Sequence, residues 1–316
     1  SGMVAAISAK KENNEVIILE KNNILGKKIL ATGNGRCNYF NEIQDVSKYS
    51  STTPKLLKEI ISIENINMVL DFFNSLGIIP KIKNGYYYPY SNKSENIKKI
   101  LEDKIKDLGI KVKYNFNIED ISYDNKFIIK GNDIVEADSL IISTGGMASP
   151  ITGSTGDGYD FAKKFNHRVI KPRPALTYLK GNDKLQSIWA GIRVDAKVSL
   201  ICNDEVVDTE EGELQLTKNG LSGICIFNLS TQAIEEEAKS VEIGINFMPF
   251  IEPIMAVEFF KQRKEENCVK VLEGFLNLKL IKAFTEILNI KEDAKIEEVD
   301  VPSLIKLLTD YRFKVE

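Results

Sequence analysis

The sequence has a single histidine, a single tryptophan and only four cysteines in 316 residues. Cys37, Cys202, Cys225 and Cys268 lie far apart and form no C-x-x-C pair. That spacing excludes a zinc ribbon and the dense disulfide frame of a small secreted domain; it reads as free thiols in a reducing, cytoplasmic compartment. No apolar run is long enough to cross a bilayer, and no secretory signal stands at the start, where an incomplete N-terminus would hide one. Neither charge dominates: 42 Lys and Arg face 45 Asp and Glu, a net charge of -3. This balance argues against electrostatic nucleic-acid binding as the main task, although the lysines could still cluster on one face. Metal-ligand spacing, a nucleophile elbow and a Walker loop are all missing. What remains is globular chemistry, with 43% hydrophobic residues for a core and a length that suggests two domains or so.

The opening "SGMVAAISAKK" mixes Ala5, Ala6 and Ala9 with Val4 and Ile7, as a helix packed closely on a sheet would. "NNEVIILEK" reads as a turn and a short strand, Val16 to Leu19, ending in Glu20; the unbroken apolar run suits a parallel strand covered on both faces. Residues 54–76 predict two short helices. Residues 94–108 predict an amphipathic one, with Ile97, Ile100, Leu101, Ile105 and Leu108 on one face and Gly109 as its stop. "IKVKYNFNI", "KFIIKG" and "DSLIISTGG" read as strands, the last with Leu140 to Ile142 as a central buried strand. Beyond about residue 170 antiparallel strands with polar turns take over, a small barrel or sandwich, and from Pro253 to Leu308 the pattern is helical. The expected division is an α/β domain over 1–170, a β-barrel insertion over 171–250, a helical insertion over 251–308 and a return strand over 309–316.

Two glycine-rich runs carry the chemistry. A dinucleotide fold needs glycines at the first strand, a helix N-terminus aimed at the pyrophosphate, and an acid about 20 residues on for the ribose hydroxyls. Here Gly2 opens a small-residue helix and Glu20 ends the next strand 18 positions later, the back half of that fingerprint. "LGKKILATGNGRCNYFN" follows. Gly33 and Gly35 permit a concave nest of amides, Thr32 and Asn38 add side-chain hydrogen bonds, and Arg36 can pair with a phosphate or lie on a planar ring. Cys37 lacks a partner cysteine and reads as a small packed residue. In "LIISTGGMASPITGSTGDGYDFAKKF", Thr144, Gly145 and Gly146 let backbone approach a ligand, and Gly153, Thr155, Gly156, Asp157 and Gly158 lead into a helix N-terminus.

These runs resemble the bacterial BaiN/YhiN-like flavoproteins, also described as aminoacetone-oxidase-like FAD-binding proteins. "SGMVAAIS" looks like the end of their G-x-G-A-[SA]-G turn. "LEKNNILGKKILATGNGRCNYFN", "STGGMASPITGSTGDGYDFAKKFNHRVIKPRPAL" and "GELQLTKNGLSG" match in order along essentially the whole chain. The resemblance implies an α/β fold: an FAD-binding Rossmann-like domain of glutathione-reductase type with an inserted β-barrel and a small helical insertion. It implies that Gly2 and Glu20 serve the FAD pyrophosphate and ribose. Lys21, Lys27, Thr32, Gly33, Gly35, Arg36, Cys37 and Asn38 would line the cofactor's path, and Ile118 would present backbone to the adenine. Thr144, Gly145, Gly146, Gly153, Thr155, Gly156, Asp157 and Gly158 would close around it. The implied activity is FAD-dependent oxidoreduction, with hydride passing from NAD(P)H through flavin to an activated C=C or similar acceptor.

The sequence also departs from the family. "THxGxSGP" reads "TKNGLSGI", with Lys218 for histidine and Ile224 for proline, and "GRVFP" reads "GYYYP", with Tyr86 for arginine. The family's first strand and its final G-G-Y-N-type segment have no counterpart, so truncation at both ends is expected. No catalytic residue is assigned. His167, just past a predicted helix, reads as a helix C-terminal contact, and Tyr86, Tyr87, Tyr88 and Tyr90 as packing. Two other readings stay open: reduction of uridine to dihydrouridine in ribosomal RNA, and a flavin-free binding module or fragment. A small-molecule substrate is expected before RNA, with no membrane partner.

Overall fold

The computed structural model describes residues 1–49, 51, 53–235 and 240–316. The chain divides into two compact units, Ser1–Lys171 and Pro172–Glu316.

In the first unit α1 (Gly2–Ala9) buries Met3, Ala6 and Ile7, and β1 (Ile17–Leu19) follows. Next come α2 (Lys27–Ala31), β2 (Phe40–Asn41), α3 (Pro54–Ile60), α4 (Ile63–Ser75), β3 (Pro80–Lys83) and β4 (Tyr86–Pro89). Then come α5 (Ser94–Asp107), β5 (Lys111–Lys113), β6 (Asp120–Asp124), β7 (Lys126–Lys130), β8 (Ile134–Ala137) and α6 (Asp157–Lys164). β1 pairs in parallel with β5, Ile17 opposite Lys111 and Leu19 opposite Lys113. α5 lays Ile97, Leu101 and Ile105 into one core with α1 and Leu25, as its 3.6-residue spacing dictates. A second small core of Phe116, Ile121 and Ile129 sits under the β6–β7–β8 meander.

The structure corrects two sequence expectations. β5 stops at Lys113 because Asn115 takes φ 53°; its amide bonds to the Asn22 carbonyl and that of Phe116 to the Glu20 carbonyl, which carries the chain across the end of β1. Leu140–Ile142 forms no strand. A parallel strand needs a hydrogen-bonded neighbour, and no described residue pairs with this segment; Ile141 and Ile142 remain 61% and 39% exposed.

The second unit holds β9 (Leu179–Lys180), α7 (Gln186–Trp189), β10 (Ile192–Cys202), β11 (Glu205–Leu216), β12 (Gly220–Gly223), α8 (Ile224–Glu235) and β13 (Val241–Asn246). Helices α9 (Pro253–Lys261), α10 (Cys268–Glu273), α11 (Leu278–Leu288) and α12 (Val301–Thr309) precede the last strand, β14 (Tyr311–Lys314). Its sheet runs β14-β13-β10-β11-β12-β9. Just past β14, the Glu316 amide bonds to the Lys180 carbonyl of the opposite edge strand at 3.0 Å. Inside lie Trp189, Leu214 and Phe313; Phe260 and Phe284 from the helices join the same core. Asn267, Asn277 and Asp300 cap α10, α11 and α12 through their side chains. All four cysteines are buried and none is in a disulfide.

Candidate functional site

The first unit brings the end of β1 and the 144–158 loop together. Asn22 is the hinge pin. Its backbone amide and its Nδ2 both donate to Glu20 Oε1 at 2.8 Å, and Nδ2 also donates to the Thr152 carbonyl at 3.2 Å. Lys21 Nζ reaches Asp157 Oδ2 at 2.9 Å and Thr155 Oγ1 at 3.1 Å. The Lys21 ammonium, with Thr155 second, holds the Asp157 carboxyl below its usual range. Lys28, on α2, donates to the Ala148 carbonyl at 2.9 Å and to Ser154 Oγ at 3.2 Å. Lys27 donates to Asn22 Oδ1 at 3.3 Å.

The glycines make that closeness feasible. A Cβ on Gly153 would lie 2.6 Å from Asn22 Nδ2, one on Gly145 2.9 Å from Ser154 Oγ, and one on Gly158 2.3 Å from Thr144 Oγ1. Gly146 backs on Tyr159 and Gly156 on Met147. The N-terminus of α1 lies beside this loop, since a Cβ on Gly2 would stand 3.4 Å from that of Ser143. Gly2, Glu20, Lys21, Lys27, Thr144–Gly146, Gly153 and Thr155–Gly158 therefore cluster.

The segment after α2 packs against β4. Gly33, Asn34 and Gly35 all have positive φ, near 55°, 54° and 79°, a left-handed turn that costs Asn34 steric strain. Thr32 Oγ1 donates to the Ile29 carbonyl. Arg36 lies over the Tyr88 ring at 5.6 Å, and the Asn38 side-chain amide faces the Phe40 and Tyr87 carbonyls. Cys37 is 7% exposed in the α1–α5 core; burial pushes its thiol up, which disfavours the reactive thiolate. The Ile118 side chain packs on the Phe116 cluster. His167 is exposed at the end of α6, its amide bonded to the Ala162 carbonyl. Tyr87 packs edge-on against Tyr39 and Phe40.

Sequence reasoning overlooked Asn22 and Lys28. An Asx residue two places after a strand-ending acid was the available signal for the first. Lys28 had none, because its partners lie 120 and 126 residues away.

The donor set suits a dinucleotide. Glu20 is half-buried, both its bonds fall on Oε1, and no described residue donates to Oε2, which is left to accept from a diol. Lys27 and Lys28 hold only neutral oxygens and form no ion pair with any described residue, so the two ammonium groups are free to meet an anion.

Comparison with known proteins agrees. Residues 1–242 match the family described as "HI0933-like protein Rossmann domain", and residues 173–316 match "HI0933-like protein barrel and H2TH domain". The chain belongs to the HI0933-like family. It is thereby an FAD-dependent oxidoreductase with a Rossmann domain and a barrel/H2TH domain. A 3-dehydro-bile acid delta(4,6)-reductase of Clostridium scindens is 33% identical over 95% of this chain and 76% of its own length. Ribosomal RNA dihydrouridine synthases of Haemophilus influenzae and Escherichia coli are 25% and 24% identical, each over 99% of this chain and 79% and 78% of their own. A flavoprotein/dehydrogenase structure from Cytophaga hutchinsonii aligns at a TM-score of 0.28 with 16% identity, covering 64% of this chain and 44% of that one; so low a score carries no argument.

The departures from the HI0933-like pattern have clear positions. Lys218 is exposed in the β11–β12 turn, closed by Thr217 on the Gly220 carbonyl. Ile224 is the first residue of α8 and 70% exposed. Proline suits that position because the first helical amide has no intrahelical partner, so isoleucine there loses preorganisation only. Tyr86 lies on β4 opposite Asn41 and Lys83, 42% exposed.

Proposed function

We propose that this HI0933-like protein reduces a C=C bond conjugated to a carbonyl in a small cytoplasmic molecule, with NAD(P)H as hydride donor. FAD would be held by the wall just described. The observation that carries the reading is the pair of ammonium groups on Lys27 and Lys28 without counter-ions among the described residues, beside the free oxygen of Glu20. Glu20 would accept from ribose hydroxyls, Lys27 and Lys28 would meet the diphosphate, and Asn22 would keep both in register. FAD, when bound, supplies two-electron hydride transfer. These side chains bind and orient; none is assigned to proton delivery. Four buried cysteines outside any disulfide support a reducing compartment.

The acceptor class is drawn from the relatives. A 3-dehydro steroid with a 4,6-unsaturation and a uridine share a C=C conjugated to C=O. The 33% identity to the reductase favours the small molecule; the 99% coverage of this chain by the two RNA synthases supports a second reading, reduction of uridine in ribosomal RNA.

Purified protein soaked in FAD and desalted should keep flavin absorbance, lose it anaerobically with NADH or NADPH, and regain it with a steroid enone but not with unmodified rRNA. Glu20→Gln should weaken FAD binding by roughly tenfold, as loss of a charged hydrogen bond implies. No flavin retained after soaking would sink the binding reading. Reoxidation by rRNA alone would replace the small-molecule reading with the second one.

A further inference from the structure

The second unit contains a cavity of about 370 Å³, at the small end of the ligand-site range. It opens between the loop after β13, the end of α9 and the end of α10. Phe259 and Phe275 meet edge-on at 6.2 Å, Phe275 and Phe250 at 6.3 Å, and Met248 lies buried among the lining residues. Phe250 is 69% exposed, an aromatic face left to water at the mouth.

Arg263 is the cation of this wall. Its guanidinium centre stands 4.0 Å from the Phe259 ring centroid, and its Nη1 donates to the Phe259 carbonyl at 3.1 Å. That uses one of five N–H donors. It forms no ion pair with any described carboxylate. Glu266, the other charged lining residue, is exposed, whereas Arg263 is half-buried. A guanidinium stacked on an aromatic ring is preorganised for a planar anion.

We infer that this cavity binds a small, flat, apolar carboxylate, with its body against the wall of Phe250, Phe259 and Phe275 and its carboxylate on Arg263. The charge complementarity selects the acid over its neutral isostere, and the volume limits the body to two or three fused rings. The site is independent of the FAD reading, because none of its residues belongs to the wall of the first unit.

Isothermal calorimetry of the whole protein with 2-naphthoate and with 2-naphthalenemethanol tests it. The acid should bind about tenfold tighter than the alcohol, the scale of a charge-assisted hydrogen bond. Arg263→Gln should bring the two to parity while leaving alcohol binding nearly unchanged. Glu266→Gln, at an exposed position, should tighten the acid a few-fold and leave the alcohol alone. Equal wild-type affinities, no saturable binding of either compound, or an acid preference that survives Arg263→Gln would each overturn the assignment. Should Arg263→Gln not fold, the wild-type ratio and Glu266→Gln decide: a ratio near one overturns it.

Discussion

Replacing Gly158 by alanine probes the contact that fixes the 144–158 loop. Gly158 sits buried in the first turn of α6 with ordinary helical φ, so alanine brings no backbone strain. Helix propensity alone favours alanine by up to about 1 kcal/mol. The new Cβ would however stand 2.3 Å from Thr144 Oγ1 and 3.0 Å from Ile142 Cγ2, where relaxed carbon contacts need about 3.5–4 Å. Overpacking of this kind costs about 1–3 kcal/mol, so the net expectation is destabilisation by about 1–2 kcal/mol. In a Thr144→Ala background the hydroxyl is gone. The nearest obstacle is then Ile142, 39% exposed and free to yield. There Gly158→Ala should be neutral or stabilising by up to about 1 kcal/mol, a coupling of about 2 kcal/mol between the two sites. Urea unfolding followed by circular dichroism gives the four free energies, and hydrogen exchange over Asp157–Lys164 gives the local reading. An identical penalty in both backgrounds would refute the packing argument. The single mutant should also lose FAD affinity.

Asp157 titrates below its usual range when folded, so its contribution is present above the ordinary carboxylate value of about 4 and fades as pH falls through the folded value. With Lys21 and Asp157 side chains 41% and 37% exposed the pair contributes less than about 1 kcal/mol; the stability gap between wild type and Asp157→Asn, measured in urea, should close on going from neutral to acid pH. Phe284→Ala, at 0% exposure and in edge contact with Phe247 at 5.4 Å, should cost about 3–5 kcal/mol by the same titration.

Much of the fold was legible in the sequence because it rests on local periodicity and caps. The α5 pattern places Ile97, Leu101 and Ile105 on its buried face, and α9 to α12 form where the helical spacing predicts them. The expected strand at Leu140–Ile142 failed because an apolar run specifies burial, not a hydrogen-bonded neighbour; pairing is a non-local property. The run from Leu25 to Asn41 likewise splits. Its lysines join the 144–158 loop, while Arg36 and Asn38 turn to Tyr88, Tyr87 and Phe40. The left-handed turn at Gly33–Gly35 divides the two directions, and glycine content alone does not say which way such a turn sends the chain.

The sequence by itself determined the family, the glycine-rich loops, the acid at the end of β1 and the helical periodicity, because each is written in residues close together along the chain. Only the tertiary structure decided that Asn22 and Lys28 are the ties across the site, and that Lys27 and Lys28 lack counter-ions among the described residues. The ties depend on which atoms meet across more than a hundred residues of chain. Close packing and charge pairing act through space, and spacing along a sequence carries no record of them.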